Sequence, residues 1–169
     1  MGKVGVGVIG CGSIAEIAHF PSISESPEAK LIAVCDSDEK RAKSAIERWK
    51  AEEYYTDYKE LLENKLVDLV IIATPNHLHY EQALAVAEAG KHAIVEKPLA
   101  CTNKEAWEMV SRFKEKGLSL MVGTNQRFWL QHEWAKQLLD QGVIGDVYLG
   151  CLLYTSDAAD DMQCVDLGG

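Results

Sequence analysis

The chain has 169 residues, of which 47% are hydrophobic and 25% are charged. This composition is typical of a soluble globular domain, and the length is sufficient to bury a core. The formal net charge is −9 without a local cluster of Lys and Arg, which argues against a nucleic-acid or anionic-membrane surface. No apolar run approaches roughly 18 residues and the N-terminus lacks a signal-peptide pattern, so we expect a cytoplasmic protein.

The cysteines form no C-x-x-C pair and show no Cys/His spacing typical of a metal site. The five positions are Cys11, Cys35, Cys101, Cys151 and Cys164. We therefore expect buried or incidental thiols, with neither a disulfide framework nor a bound metal.

A short apolar run over residues 4–9 predicts a buried first strand, which leads directly into Gly10-Cys11-Gly12-Ser13-Ile14-Ala15. This motif is the GxGxxA form of the dinucleotide-binding fingerprint. Glycines are needed because the chain must turn sharply and let backbone N–H groups approach a pyrophosphate at the positive end of the next helix. The turn therefore predicts a nucleotide site in which Gly10, Gly12, Ser13 and Ile14 contact the cofactor.

The second predicted strand, residues 29–35, ends in Asp36, which lies 24 residues after Gly12 and close to the expected spacing of roughly 20. A carboxylate here accepts hydrogen bonds from ribose hydroxyls and repels a 2′-phosphate, which favours NAD over NADP. Lys40 or Arg41 on the next helix could offset that repulsion. The alternative is that Asp36 only caps that helix.

Apolar runs then alternate with helix-length segments, which predicts an α/β fold with a doubly wound parallel sheet. The predicted elements are helix 38–49, a strand near Tyr54 and Tyr55, helix 58–63, strand 67–73, helix 78–89, strand 92–95, a helix between Thr102 and Gly117, strand 118–122 and helix 134–140.

Caps and periodicity support several of these boundaries. Asn76 is predicted as the N-cap of helix 78–89, and Gly90 as its stop. Thr102 and Glu105 have the spacing of a capping box. The following helix has apolar residues at positions typical of a buried face, namely Ala106, Met109, Val110 and Phe113.

Polar groups follow four of the predicted strands, where ligands of open parallel sheets bind. They are the Gly10 turn, Asp36, Thr74-Pro75-Asn76 and Glu96-Lys97-Pro98. Lys97 has a restrained backbone between a strand end and a proline, with Glu96 beside it to hold a cofactor or orient the ammonium.

Together these motifs resemble the N-terminal half of the Gfo/Idh/MocA family, the relatives of glucose-fructose oxidoreductase and inositol dehydrogenase. The resemblance covers about residues 3–149 and includes His79, residues 123–128 and Gly142-Val143-Ile144-Gly145. It implies an NAD(P)-dependent oxidoreductase of a sugar, polyol or related small molecule, and a homo-oligomeric full-length protein.

The resemblance also implies roles for individual residues. Lys97 would be the catalytic proton-transfer group, and Lys97 and Arg127 would face the substrate, although Arg127 could equally be a surface charge. The residues expected to contact the cofactor beyond the glycine turn and Asp36 are Thr74, Pro75, Asn76, His79, Glu96, Lys97 and Asn125.

The family pattern stops near Leu149, so we expect a dinucleotide-binding domain over residues 1–150. Residues 151–169 resemble a translated transposase sequencing adapter, and we interpret them as a non-native tail. A divergent acidic C-terminus is the alternative. The family's second domain, with its Asp and His partners of the lysine, would then be missing, and the chain should bind cofactor without a complete active site.

Two other functions fit parts of the pattern. A methyltransferase of similar fold would use the glycine turn and the acid but would not need Lys97. A non-catalytic NAD-binding sensor on the same scaffold is the other alternative, and an intact second-domain Asp and His would favour the enzyme over it.

Overall fold

The computed structural model describes residues 2–151 and 164–165. They belong to two compact units, Met1–Thr124 and Asn125–Gly169, each of which is described by itself. No helix in the described part of the chain is long and apolar enough to span a bilayer.

The first unit is built on a parallel sheet of six strands in the order β3-β2-β1-β4-β5-β6. The strands are β1 Val4–Ile9, β2 Ala29–Cys35, β3 Glu53–Tyr55, β4 Leu69–Ile72, β5 His92–Val95 and β6 Leu120–Val122. The strand order reverses between β1 and β4, which is the switch point at which such sheets bind ligands. The predicted doubly wound sheet is therefore confirmed.

Helices connect successive strands and cover both faces of the sheet. They are α1 Phe20–Glu25, α2 Glu39–Trp49, α3 Tyr58–Glu63, α4 His79–Glu88 and α5 Asn103–Glu115. Neighbouring residues of β1 enter different apolar clusters, Val8 on one face and Ile9 on the other. This alternation follows from the two-residue period of a strand and explains why the central strands are apolar throughout.

The predicted capping box of α5 is confirmed. The Thr102 side chain accepts from the Glu105 N–H, and the Glu105 carboxylate accepts from the Thr102 N–H. Met109 and Phe113 are buried as predicted, but Val110 is 40% exposed. The buried face of α5 is therefore narrower than the apolar pattern indicated.

Near the sheet edge, the structure adds one detail to the predicted elements and corrects two of them. The helix after the glycine turn contains a π-helical segment, Ala15–His19, ahead of α1. Asn76 does not cap α4, because Asn76–Leu78 form a 3₁₀ turn whose N-cap is Pro75. The strand predicted over 67–73 is shorter, since the ladder includes only Leu69–Ile72.

The second unit contains a 3₁₀ turn, Asn125–Phe128, and helix α6, Leu130–Asp140, which includes the predicted helix 134–140. Two short antiparallel strands follow, β7 Gly150–Cys151 and β8 Cys164–Val165. Apart from these strand residues, the predicted non-native tail lies outside the described residues, and its interpretation stays a prediction.

A buried lysine stabilises the amino end of β5. The Lys91 Nζ donates to the carbonyl oxygens of Asn64 at 2.8 Å and Val67 at 2.7 Å. Burial lowers the pKa of Lys91 below its usual value, and the nearby Asp68 carboxylate opposes that shift. The ammonium therefore ties the segment before β4 to the start of β5.

We predict that Lys91→Met lowers the free energy of unfolding by about 2–4 kcal/mol, because two carbonyls lose a charged donor while the packing of the stem is kept. The folded state binds fewer protons than the unfolded state below about pH 10.4. Wild-type stability should therefore rise with pH towards that value, and the variant should lack this rise. Urea unfolding at several pH values measures both effects.

Lys104→Met, on the exposed side of α5, is the control. Equal urea midpoints for the Lys91→Met and Lys104→Met variants would contradict the prediction.

Candidate functional site

A cavity of about 690 Å³ lies at the carboxyl ends of β1, β2 and β4. Gly10, Gly12, Asp36, Thr74 and Pro75, which the sequence predicts as site residues, all line it. The topology explains this convergence, because parallel neighbouring strands end at the same edge of the sheet.

The two glycines of the turn after β1 have different roles. Gly10 has a φ of +98°, and a Cβ there would lie 2.6 Å from the Ala73 carbonyl oxygen. At Gly12 an added Cβ would meet no described atom within 4 Å, so this backbone faces open space. Gly10 is thus required by the fold, whereas Gly12 leaves room for a ligand.

Asp36 joins this turn to the loop after β2. Its carboxylate accepts from the Cys11 N–H and from the Asp38 N–H, each at 2.9 Å, and only 9% of the residue is exposed. Asp36 does not cap the next helix, since Asp38 is the N-cap of α2. The Oδ2, which accepts from the Cys11 N–H, retains a further lone pair that could accept from a ribose hydroxyl.

A cation stands beside that carboxylate. The Arg41 Nε lies 3.4 Å from the Asp36 Oδ1, and Arg41 also lines the cavity. Arg41 can therefore reduce the repulsion that Asp36 would exert on a 2′-phosphate.

Cys11, within the turn, is not equipped as a nucleophile. Burial, together with the Asp36 charge, raises the pKa of its thiol to about 12. The thiol is consequently protonated near neutral pH, and the Cys11 backbone N–H makes the contact to Asp36. This agrees with the predicted buried thiol, and no metal-binding cluster occurs within the described part of the chain.

Two hydrogen-bonding groups hold the Glu96 carboxylate at the end of β5. Its Oε1 lies 2.9 Å from the His19 Nε2, and its Oε2 accepts from the Lys97 N–H at 3.2 Å. A Cβ at Gly123 would lie 2.9 Å from the Oε1, so this glycine provides space for the carboxylate. The Lys97 side chain is exposed at the same strand end, and its peptide bond to Pro98 is cis.

His79 occupies an interior position. The residue is 0% exposed, and its two ring nitrogens contact the carbonyl oxygens of Pro98 and Thr74 at 2.9 Å and 2.8 Å. The predicted direct contact of His79 with a cofactor is not supported, because the side chain has no exposed surface.

The remaining predicted site residues fall into two groups. Ser13, Ile14 and Asn76 are exposed near the edge of the sheet that carries the cavity. Asn125 and Arg127 belong to the second unit, so their assigned roles stay predictions.

Several residues that line the cavity were not predicted from the sequence. Ser37 follows Asp36 directly and could have been found from its position in the loop. Tyr58 belongs to α3, Leu78 to the 3₁₀ turn before α4, and Gln82 to α4, and no motif marks them. Gln82 is buried against the strand end, where its Oε1 accepts from the Thr74 Oγ1 at 2.6 Å.

The parallel sheet, the glycine turn and the strand-end carboxylate define a dinucleotide-binding domain, and comparison with known families identifies which one. A family model described as "Oxidoreductase family, NAD-binding Rossmann fold" matches residues 4–124. The chain belongs to this family, GFO_IDH_MocA, as the motifs suggested. Membership in an oxidoreductase family removes the methyltransferase alternative.

Curated relatives are similar over most of this chain. An uncharacterized oxidoreductase, YdgJ, of Escherichia coli is 35% identical over 145 residues, which are 86% of this chain and 41% of the relative. D-glucoside 3-dehydrogenase of the same organism is 31% identical over 144 residues, 85% of this chain and 41% of the relative. The chain thus spans about two fifths of the length of these relatives.

Solved structures give the same result. Scyllo-inositol dehydrogenase from Lactobacillus casei with bound NAD(H) and scyllo-inositol has a TM-score of 0.82 and 28% identity, over 87% of this chain and 44% of that one. A 3-ketoreductase, KijD10, from Actinomadura kijaniata in complex with TDP-benzene and NADP has a TM-score of 0.81 and 34% identity, over 86% of this chain and 46% of that one. The expected NAD-binding domain is confirmed by the family, and NADP also occurs among its relatives.

We predict that Gly12→Val weakens NADH binding at least about tenfold, or about 1.4 kcal/mol, because the side chain enters the open space that the cofactor would occupy. Folding should be unaffected, since no described atom is displaced. Gly2→Val, also in open space but away from the cavity, is the matched control. Fluorescence titration with NADH measures the dissociation constants, and equal affinities would remove the assignment of the turn.

Proposed function

We propose that this chain is the cofactor-binding part of an NAD(P)-dependent oxidoreductase, which transfers a hydride between nicotinamide and a hydroxyl or carbonyl of a sugar, polyol or related small molecule. The observation that carries this proposal is the cavity at the switch point. The open backbone at Gly12 and the Asp36 carboxylate both line this cavity. D-glucoside and inositol dehydrogenases among the relatives support the substrate class.

The Gly10–Gly12 turn would hold the pyrophosphate through backbone N–H groups, and Asp36 would accept from the adenosine ribose. The adenosine half would then lie beside β2. The opposite half would extend across the switch point towards β4 and β5, where Thr74, Pro75, Asn76 and Glu96 would contact it. Asn125 is also proposed to contact the cofactor.

Cofactor choice depends on the charges beside the ribose. Asp36 favours NAD, because a 2′-phosphate would face a carboxylate that is only 9% exposed. Arg41, 3.4 Å from Asp36, offsets part of that effect. We propose NAD as the main cofactor, with NADP as the weaker ligand.

The bound nicotinamide would supply the hydride chemistry. Lys97 would hydrogen-bond the substrate oxygen and transfer the proton that oxidation releases or reduction consumes. Lys97 is exposed directly after β5, and this position suits the role. Arg127 is proposed to face the same substrate.

The proton chemistry would need partners outside this chain. The family resemblance implies an Asp and a His beside the lysine in a second domain, with a homo-oligomeric assembly. We therefore propose that the 169-residue chain binds cofactor but does not complete hydride transfer, and that residues 151–169 are non-native.

We predict that Asp36→Ala shifts the ratio of NADP to NAD affinity towards NADP by at least about tenfold, because a repulsive charge and a ribose acceptor are removed together. The two cofactors differ only in the 2′-phosphate, so damage to the glycine turn would weaken both affinities alike. The ratio of the affinities therefore reports the effect of the mutation on the 2′-phosphate alone. Asp57→Asn, which removes another carboxylate on the cavity but keeps an N-cap residue for α3, is the control.

Calorimetric titrations with both cofactors measure this ratio. A wild-type preference for NADP would overturn the assigned role of Asp36 and make Arg41 the main determinant. A comparable shift in Asp57→Asn would mean that overall charge, rather than Asp36, sets the choice.

In a full-length protein reconstructed from the same locus, we predict that Lys97→Ala lowers kcat by roughly 10² to 10⁴, the range for losing a general acid–base group. Cofactor affinity should change much less. Lys104→Ala, another exposed lysine, is the control. Steady-state NADH absorbance with a panel of sugars and polyols measures activity.

Two results would count against this assignment. An unaffected Lys97→Ala enzyme would move the proton chemistry to another residue. Full activity from the isolated 169-residue chain would show that a second domain is dispensable.

A further inference from the structure

The ring of His79 lies between the two segments that follow β4 and β5. His79 is the first residue of α4 and is 0% exposed. Its Nδ1 lies 2.9 Å from the Pro98 carbonyl oxygen, and its Nε2 lies 2.8 Å from the Thr74 carbonyl oxygen. One side chain thus contacts two backbone segments that are 24 residues apart in the sequence.

Both contacts are made to groups that only accept hydrogen bonds. A doubly protonated ring donates to both oxygens, whereas a neutral ring donates to one of them. In either state, the imidazole replaces water as the neighbour of two strand-end carbonyls. Backbone carbonyls at such positions are costly to leave without a donor.

The two segments belong to different parts of the site. Thr74 lines the cavity, and its Oγ1 is already fixed by Gln82 at 2.6 Å. Pro98 follows Lys97 directly, and Glu96 precedes it. The His79 ring consequently connects a fixed cavity wall to the segment that carries the Glu96-Lys97 pair.

We propose that His79 is a positioning residue, which holds residues 96–98 beside the cofactor cavity. Lys97 would then lie next to the nicotinamide half of the cofactor. This inference rests on the proposed function, because it assigns residues 96–98 to the nicotinamide half. His79 itself touches neither cofactor nor substrate.

Two conservative variants separate its two contacts. In Asn the amide nitrogen is bonded to Cγ, as Nδ1 is in His, so His79→Asn can keep the bond to Pro98. In Gln the amide nitrogen is one bond further out, as Nε2 is, so His79→Gln can keep the bond to Thr74. His79→Phe removes both donors. His77→Gln, an exposed position in the preceding 3₁₀ turn, is the matched control.

Each variant of the 169-residue chain is titrated with NADH and with ADP-ribose, which lacks the nicotinamide. We expect His79→Gln, which loses the contact to Pro98, and His79→Phe, which loses both contacts, to raise the NADH dissociation constant at least roughly tenfold, because neither variant holds residues 96–98. ADP-ribose affinity should stay within about twofold, because its site is formed by β1 and β2. His79→Asn should lie closer to the wild type, and His77→Gln should equal it.

The outcomes distinguish this inference from the proposed function. A wild-type chain that binds neither ligand would defeat the proposed function and this inference with it. Binding of both ligands, with an unchanged ratio in every His79 variant, would overturn the positioning role alone. Parallel loss of both affinities, or unfolding of all three variants, would make the ring a determinant of sheet stability and would also overturn it.

Discussion

The carboxylate of Asp36 fixes the geometry on which the cavity depends. It accepts from Cys11 in the turn after β1 and from Asp38 in the loop after β2, both at 2.9 Å. A buried carboxylate is tolerated only when hydrogen bonds and charge compensate its lost hydration, and two backbone N–H groups and Arg41 provide this here. The glycine turn is therefore held in place by the protein itself, before any ligand binds.

The other side of the switch point is organised around β5. His19 reaches Glu96 from the π-helical segment that follows the glycine turn. A π-helical turn displaces the residues after it relative to a regular α-helix, and such turns are frequent at functional sites. The helical segment that follows the glycine turn thus also contacts the end of β5, so one segment joins the two sides of the switch point.

Local sequence patterns made most of the fold predictable. Continuous apolar runs identified the buried strands, and the glycine spacing and the acid after β2 located the cavity. The capping box of α5 was equally reliable, because its two hydrogen bonds involve only residues four positions or fewer apart. These features are local, so the sequence alone contains the whole interaction.

Errors occurred where a distant segment decides the local conformation. The sequence around Asn76 is compatible with an N-cap, but the chain continues through a 3₁₀ turn to a helix that begins at His79. Val110 fits the apolar period of α5, yet no described element covers it fully, and it remains 40% exposed. The contacts of His19 and His79 could not be predicted either, because their partners lie 77 and 19 residues away.

These two histidines together constrain the backbone on either side of Lys97. His19 contacts the Glu96 carboxylate before it, and His79 contacts the Pro98 carbonyl after it. A lysine side chain loses considerable rotamer entropy when it is fixed. Fixing the backbone instead brings the ammonium near its site without this loss of entropy. In the proposed reaction, the exposed Lys97 side chain would then adjust to the substrate oxygen. Rigidity of residues 96–98 and mobility of the ammonium are thus complementary requirements of the proposed proton transfer.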